Sequence, residues 1–177
     1  MIGYSIRGLE KEGGLVGVFN ADSTHSESLA KLIAKFRVEM DSYKGIHKDE
    51  DINSAENEFN EYLEADYPIY GYEENGYCLG YLVCRVDKAV VWVESLFTLK
   101  EHRQKGIASL LFNEAEKLSA SYDEETLYLY VHPNNDGMIE FCRRKGYDVL
   151  NLIEIRKKLP GEQINEQIKI RNNVFNY

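Results

Sequence analysis

The sequence predicts a mixed α/β fold: a central, mostly antiparallel sheet with one parallel strand pair and helices on both faces. Three features of the 177-residue chain carry that expectation. Asn75-Gly76, the strongest short hairpin signal, stands between two runs of strand-forming residues. Apolar residues ahead of it recur at helical spacing in two stretches. After residue 89 the order becomes strand, helix, strand, and such a crossover joins parallel neighbours.

Taken in order, Ile2–Leu9 reads as extended, followed by a Gly13-Gly14 turn and a strand Leu15–Asn20. Thr24 with Glu27 three residues later has the form of a capping box. The helix behind it puts Leu29, Leu32, Ile33 and Phe36 on one face. A second box, Asn53 or Ser54 ahead of Glu56, opens a helix with Ala55, Phe59, Tyr62 and Leu63 inward, and Pro68 stops it. Tyr67–Glu73 and Tyr77–Val86 form the hairpin, and after Asp87-Lys88 the run Ala89–Phe97 is apolar enough for a central strand. From Gly106 a stripe of Ile107, Leu110, Leu111, Ala115 and Leu118 predicts a helix packed on the sheet. Thr126–Val131 is a strand, and Asn134–Lys145 a short helix closed by Gly146 at the C′ position. Val149–Leu150 with Leu152–Lys158 reads as a closing hairpin. No repeat or linker divides the chain, so the expectation is one domain over residues 1–159, with 1–14 an N-terminal extension. Residues 160–177 form a polar tail that the pattern does not place.

Composition excludes several classes. With 44% apolar and 29% charged residues the chain is globular. A net charge of −9 argues against nucleic acid, which needs a basic face. No stretch approaches the roughly 18–20 apolar residues of a membrane span. The first ten residues carry Gly, Arg and Glu where a secretory leader needs an apolar core. Cys78, Cys84 and Cys142 lack metal or redox spacing and read as reduced thiols in a cytoplasmic protein, with no metal site. The acidity is uneven: residues 39–74 hold 12 acids against Lys44 and Lys48 alone. That run is either two solvated helices or a surface suited to cations.

Between the third strand of the meander and its helix lies Arg103-Gln104-Lys105-Gly106-Ile107-Ala108-Ser109. It is neither a Walker A loop nor G-x-G-x-x-G. Gly106 and Ala108 leave the backbone approachable, and the helix N-terminus offers free N–H groups and a positive dipole end. His102, Arg103 and Lys105 add positive potential. These properties suit a pyrophosphate, and equally an ordinary tight turn.

In company, the motifs resemble the GNAT superfamily of acyl-CoA-dependent N-acetyltransferases, whose signature is (Gln/Arg)-x-x-Gly-x-(Gly/Ala). Arg103, Gly106 and Ala108 match its fixed positions. The strand Glu94-Ser95-Leu96-Phe97-Thr98 matches the family's strand with an acid four residues before its end, and Asn135 through Gly146-Tyr147 matches an Asn, a helix, then Gly and an aromatic. The run from Leu15 to Phe36 resembles the first strand and helix, so the likeness covers about residues 15–159.

The resemblance implies a GNAT-like sheet whose parallel pair splays, often at a bulge, and acetyl-CoA as co-substrate. Main-chain groups of Leu96, Phe97 and Thr98 would pair with the pantetheine arm, and the N–H groups of Gln104, Lys105, Gly106, Ile107, Ala108 and Ser109 would hold the pyrophosphate. Asn135 would face the pantetheine or sulfur, and Arg144 the nucleotide phosphates. Glu94 occupies the position of the base that deprotonates the amine, directly or through water. Its flanks, Trp92, Val93, Leu96 and Phe97, would desolvate the carboxylate and raise its pKa. Relatives carry a Tyr acid seven residues beyond the Asn, where this chain has Cys142. Tyr147, Tyr130, His132 or water would be the stand-ins. Tyr43, Tyr62, Tyr67, Tyr70 and Tyr72 lie in the segment the family uses for the acceptor.

The implied activity is acetyl transfer to a primary amine of a cationic small molecule or peptide, by direct attack in a ternary complex. A homodimer is a form the family often takes. The alternative is a catalytically weak acyl-CoA-binding regulatory or interaction module, for which the missing Tyr speaks. A structural protein without a nucleotide ligand would require the signature to be coincidence.

Overall fold

The computed structural model describes residues 16–123, 126–158, 160–161, 164 and 166–177. Ile2–Leu9, Gly13-Gly14 and Leu15 lie outside the described residues. By internal packing the chain forms two compact units, 1–139 and 140–177.

The first unit is built on a five-stranded sheet in the order β1-β2-β3-β4-β5. Strands β1 (Val16–Asn20), β2 (Ile69–Glu74), β3 (Tyr77–Asp87) and β4 (Val90–Thr98) pair antiparallel, each with its neighbour. β5 (Tyr128–Leu129) lies parallel to β4. Asn75 and Gly76 both have positive φ, 55° and 81°, the backbone that matches strand twist in a two-residue turn. The next turn falls on Lys88-Ala89, at φ 49° and 73°, one residue later than Asp87-Lys88. Asp87 is instead paired with Val90 and closes the ladder.

Helices α1 (Ser26–Tyr43) and α2 (Ile52–Glu64) cover one face. Leu29, Ile33, Ala55 and Phe59 are fully buried there against Ile69, Tyr81, Val83 and Phe97. Side chains alternate along a strand, so Leu82 points to the opposite face. There α3 (Ile107–Ala120) packs on β2, β3 and β4 and buries Ile107, Leu111, Phe112 and Ala115. Leu110, expected inward, is 45% exposed, because the buried stripe runs through residues 111, 112, 115 and 119 and turns position 110 away.

Neither expected capping box forms. Asp22, not Thr24, begins the turn into α1: its carboxylate accepts the Thr24 N–H at 2.9 Å and also takes the Thr24 hydroxyl at 2.5 Å. A carboxylate is the stronger acceptor and draws the box two residues upstream, with His25 closing it. Likewise Asp51 caps α2 by accepting the Ser54 N–H at 2.9 Å. The end of α2 comes before Pro68. Asp66 turns left-handed at φ 54°, and the N–H groups of Asp66 and Tyr67 bond to the carbonyls of Leu63 and Tyr62.

Helix α4 (Asp136–Arg144) leads into the second unit and ends as expected. Gly146 sits at φ 86°, with Tyr147 N–H on the Cys142 carbonyl. The hairpin expected at Val149–Leu150 and Leu152–Lys158 is absent. Residues 147–158 have no regular structure, and Val149, Leu150, Leu152 and Ile155 are exposed. A two-residue arm is too short to hold a hairpin. The unit's hairpin comes later, in the tail the pattern did not place: β6 (Gln167–Ile170) pairs with β7 (Asn173–Asn176) through a turn with Arg171 at φ 54°.

Candidate active site

The sheet parts at Glu94. On its β3 side, Ser95 pairs with Val83 and Val93 with Cys84, so Glu94 is an extra residue, a bulge. On its β5 side, pairing covers Trp92 with Tyr128 and Val93 with Leu129 and goes no further. The strand expected over Thr126–Val131 is correspondingly short, Tyr128–Leu129. The Leu99 N–H donates to the Leu79 carbonyl at 2.9 Å, which sets the alternation of the ladder. The main chain of Phe97 therefore faces β3, while that of Leu96 and Thr98 faces the gap. Gly80 stands opposite Thr98 because a Cβ there would lie 2.8 Å from the Phe97 carbonyl oxygen.

The chain leaves β4 through a short turn and reaches α3 with Gln104 and Gly106 left-handed, at φ 60° and 87°. No side chain caps α3. Among the described residues, no backbone carbonyl accepts the N–H groups of Gln104 through Ser109. Free N–H groups at a helix start are suited to an anion with several oxygens. Lys105 is exposed beside them. His102 keeps its ring Nδ1 buried without a hydrogen-bond partner. Arg103 is committed elsewhere. Its Nη2 donates to Glu39 on α1 at 2.5 Å, its Nε to the Thr98 carbonyl at 3.0 Å, and its guanidinium lies 5.6 Å from the Phe97 ring centroid.

That link continues to the other side of the gap. Glu39 also accepts the Tyr43 hydroxyl at 3.0 Å, the Tyr43 ring stacks on His132, and the Tyr43 carbonyl accepts the Asn134 side-chain amide at 3.0 Å. Asn134 N–H donates to His132 Nδ1 at 3.2 Å. The C-terminal end of α1 thus ties the turn after β4 to the loop after β5. Asn135, on that loop, accepts the Met138 N–H through Oδ1 and so caps α4. Its Nδ2 is the end left to donate to a ligand.

Glu94 meets Arg85 of β3, with Nε 2.6 Å from Oε1. Both side chains are 29% exposed, and Glu94 is the exposed position of β4, its carboxylate held in an ion pair. The Arg85 guanidinium lies 5.4 Å from the centroid of Trp92, whose ring stacks with Tyr128 and Tyr130. On α2, Tyr62 donates to Glu58, which pairs with Arg37 at 3.3 Å. Burial first, then the bond to Glu58, holds the Tyr62 hydroxyl far above its ordinary range. Burial and the Glu94 charge push the Cys84 thiol up to about 12. The Tyr81 hydroxyl and Ser95 Oγ are buried and act on one another, and no other hydrogen-bond partner meets them among the described residues.

Of the acid candidates, Tyr130 is 65% exposed and stacks on Trp92. His132, its pKa lowered by burial and by Lys44, supports Tyr43. Cys142, Arg144 and Tyr147 belong to the second unit. There Cys142 is 6% exposed with its thiol pushed up by burial, and Arg144 lies 3.7 Å from Glu140. The sequence pattern did not single out Arg85, Glu39 or Glu58. Arg85 carried one signal, being the sole base in an otherwise apolar strand. Glu39 and Glu58 were hidden in the acidic run. No group of three or more potential metal ligands occurs among the described residues. No described helix is long and apolar enough to cross a membrane.

Comparison with known proteins agrees with this geometry. The chain is 30% identical over 88 residues to "Probable N-acetyltransferase san" of Drosophila melanogaster, covering 45% of this chain and 46% of that protein. It therefore spans about half the length of the curated relative it matches. Among solved structures it is similar to AAC(6')-Iy in complex with a bisubstrate analog, at TM-score 0.63 and 18% identity over 82% of this chain and 100% of that one. It is similar also to the aminoglycoside 6'-N-acetyltransferase AAC(6')-IG of Acinetobacter haemolyticus, at TM-score 0.61 and 15% identity over 81% and 99%. At these identities the likeness is one of fold. The model of the acetyltransferase (GNAT) family matches residues 33–147, through both helices, the parted strands and the turn before α3, and the chain belongs to that family.

Proposed function

We propose that the protein transfers an acetyl group from acetyl-CoA to a primary amine of a cationic small molecule or peptide. One observation carries the reading: β4 bulges at Glu94 and parts from β5 directly before a helix start whose N–H groups have no acceptor. The donors of residues 104–109 fit the oxygens of a pyrophosphate. The main chain of Leu96 and Thr98 and the Asn135 Nδ2 fit an amide-bearing arm running along the gap. Family membership supports the donor, and the similar AAC(6')-Iy structure holds a CoA-S-monomethyl-acetylneamine analog.

Acetyl-CoA supplies an activated acyl thioester. The chain's own residues prepare the amine. Glu94 attracts an ammonium group and takes its proton, leaving the nitrogen lone pair free to attack the thioester carbon in a ternary complex. The C–N bond forms, the C–S bond breaks, and the second proton shed by the nitrogen passes through solvent to the departing thiolate. A thiolate is stable enough to leave without a proton from the protein. The acidic run over α1, α2 and β2 favours a cationic acceptor.

Calorimetry with acetyl-CoA tests the first half, and absence of binding at tens of micromolar would count against it. Glu94→Gln should lower kcat/KM about 10²-fold or more toward a cationic amine at neutral pH. Unchanged activity across the pH range would remove Glu94 from the chemistry. A second reading, an acyl-CoA-binding module without turnover, is favoured by Cys142 at the acid position, since burial keeps that thiol from ionising. Release of CoA with any of a panel of polyamines, aminoglycosides and peptides would defeat it.

A further inference from the structure

Arg85 is the one base of β3, and it is placed as a bound cation would be. Its guanidinium lies over the face of Trp92, 5.4 Å from the centroid, and its Nε is 2.6 Å from the Glu94 carboxylate. Trp92 is held at that angle by stacking with Tyr128 and Tyr130, at centroid distances of 5.1 and 5.3 Å. An aromatic face with a carboxylate at its edge is a recognition site for an organic cation. It stands at the bulge where the sheet parts, on the strand that leads to the anion-suited turn.

We propose that Arg85 is a specificity-determining residue of the acceptor site: in the free protein it fills the cation position between Trp92 and Glu94, and the acceptor's ammonium or guanidinium group displaces it. The inference rests on the acetyl-transfer reading and names its acceptor class as an organic cation able to lie on Trp92. Displacement is inexpensive because each contact Arg85 gives up is weak where side chains reach solvent. Asp87, exposed two residues along β3, offers the freed guanidinium an alternative carboxylate. Neutral amines cannot replace both contacts and leave Arg85 in place. Access to the base then depends on the charge of the acceptor.

The chain has one tryptophan, so its fluorescence reports this site directly. Methylguanidinium and agmatine serve as probes, titrated without acetyl-CoA into wild type, Arg85→Ala and Arg85→Met. The Met variant keeps the aliphatic stem in case truncation disturbs the strand. Removing the internal competitor should lower the half-saturating concentration about tenfold in Arg85→Ala. Lys88→Asn, which removes a like charge at a left-handed turn position, should respond as wild type does. Equal titration of wild type and both Arg85 variants, no spectral response in any protein, or the same tightening in Lys88→Asn would overturn the proposal. Should the variants bind the probes tightly while no amine is acetylated, the acetyl-transfer reading fails and the cation site stands. Should amines be acetylated while Arg85→Ala leaves probe affinity and the KM for cationic acceptors unchanged, the reverse holds.

Discussion

Glu39 and Arg103 offer a direct test of whether α1 presets the turn that precedes α3. Arg103 donates to Glu39 at 2.5 Å and to the Thr98 carbonyl at 3.0 Å, and Glu39 also takes the Tyr43 hydroxyl. The two side chains are 36% and 26% exposed. Fully exposed pairs contribute about 0.2–1 kcal/mol, and breaking a buried one costs about 3–5 kcal/mol. Glu39→Ala should therefore cost about 1–2 kcal/mol. In a protein of this size that lowers Tm by about 3–6 °C. Arg103→Ala should cost a similar amount, and the double variant should fall short of the sum by about 1 kcal/mol. The functional readout is the KM for acetyl-CoA. With Arg103 released, the turn at Gln104 and Gly106 loses its anchor, and KM should rise several-fold while kcat changes less. Thermal unfolding of the four proteins and initial rates with varied acetyl-CoA measure both effects. Additive stabilities together with an unchanged KM would refute the reasoning, because Arg103 would then be a surface residue with a fortuitous neighbour.

Three further outcomes follow from burial and charge. Phe59→Ala removes a fully buried ring between the helices and the sheet and should destabilise by about 3–5 kcal/mol, read as a lower denaturant midpoint with unchanged slope. His132 has its pKa lowered by burial and by Lys44, so the unfolded chain takes up the proton first. Stability should fall as pH drops through the ordinary value of 6.5 and level off below the folded value. His132→Phe, which keeps a ring against Tyr43, should lose that dependence, and parallel Tm curves over pH 5–8 would count against it. Burial raises the thiol pKa of Cys78, Cys84 and Cys142 alike, so a disulfide reagent at neutral pH should label the native protein far more slowly than the denatured one.

The sequence by itself determined what local chemistry and periodicity can encode. The Asn75-Gly76 turn forms because only positive φ matches the twist of its strands. The stripes of α1 and α2 bury Leu29, Leu32, Ile33, Ala55 and Phe59 and half-bury Phe36, Tyr62 and Leu63, and the Gly106 and Gly146 positions take up the left-handed backbone that marks a helix start and a helix end. The signature from Arg103 to Ala108 was enough to suggest the family. The caps lie upstream of the expected residues because Asp22 and Asp51 are stronger acceptors than Thr24, Asn53 or Ser54. No hairpin closes over residues 149–158, because apolar alternation does not say which strand is available as a partner.

Only the tertiary structure decided what the site residues do. The bulge at Glu94 is a property of two strands in register and is invisible in either one. Arg103 matches the signature, yet its guanidinium is directed to Glu39, 64 positions away in sequence, and no local pattern reports such a pairing. Arg85 reads as one charge in an apolar strand until Trp92 and Glu94 arrive on the neighbouring one. Periodicity records which face a residue occupies. Which groups meet across that face depends on strand register and helix placement, and those come from packing the whole core.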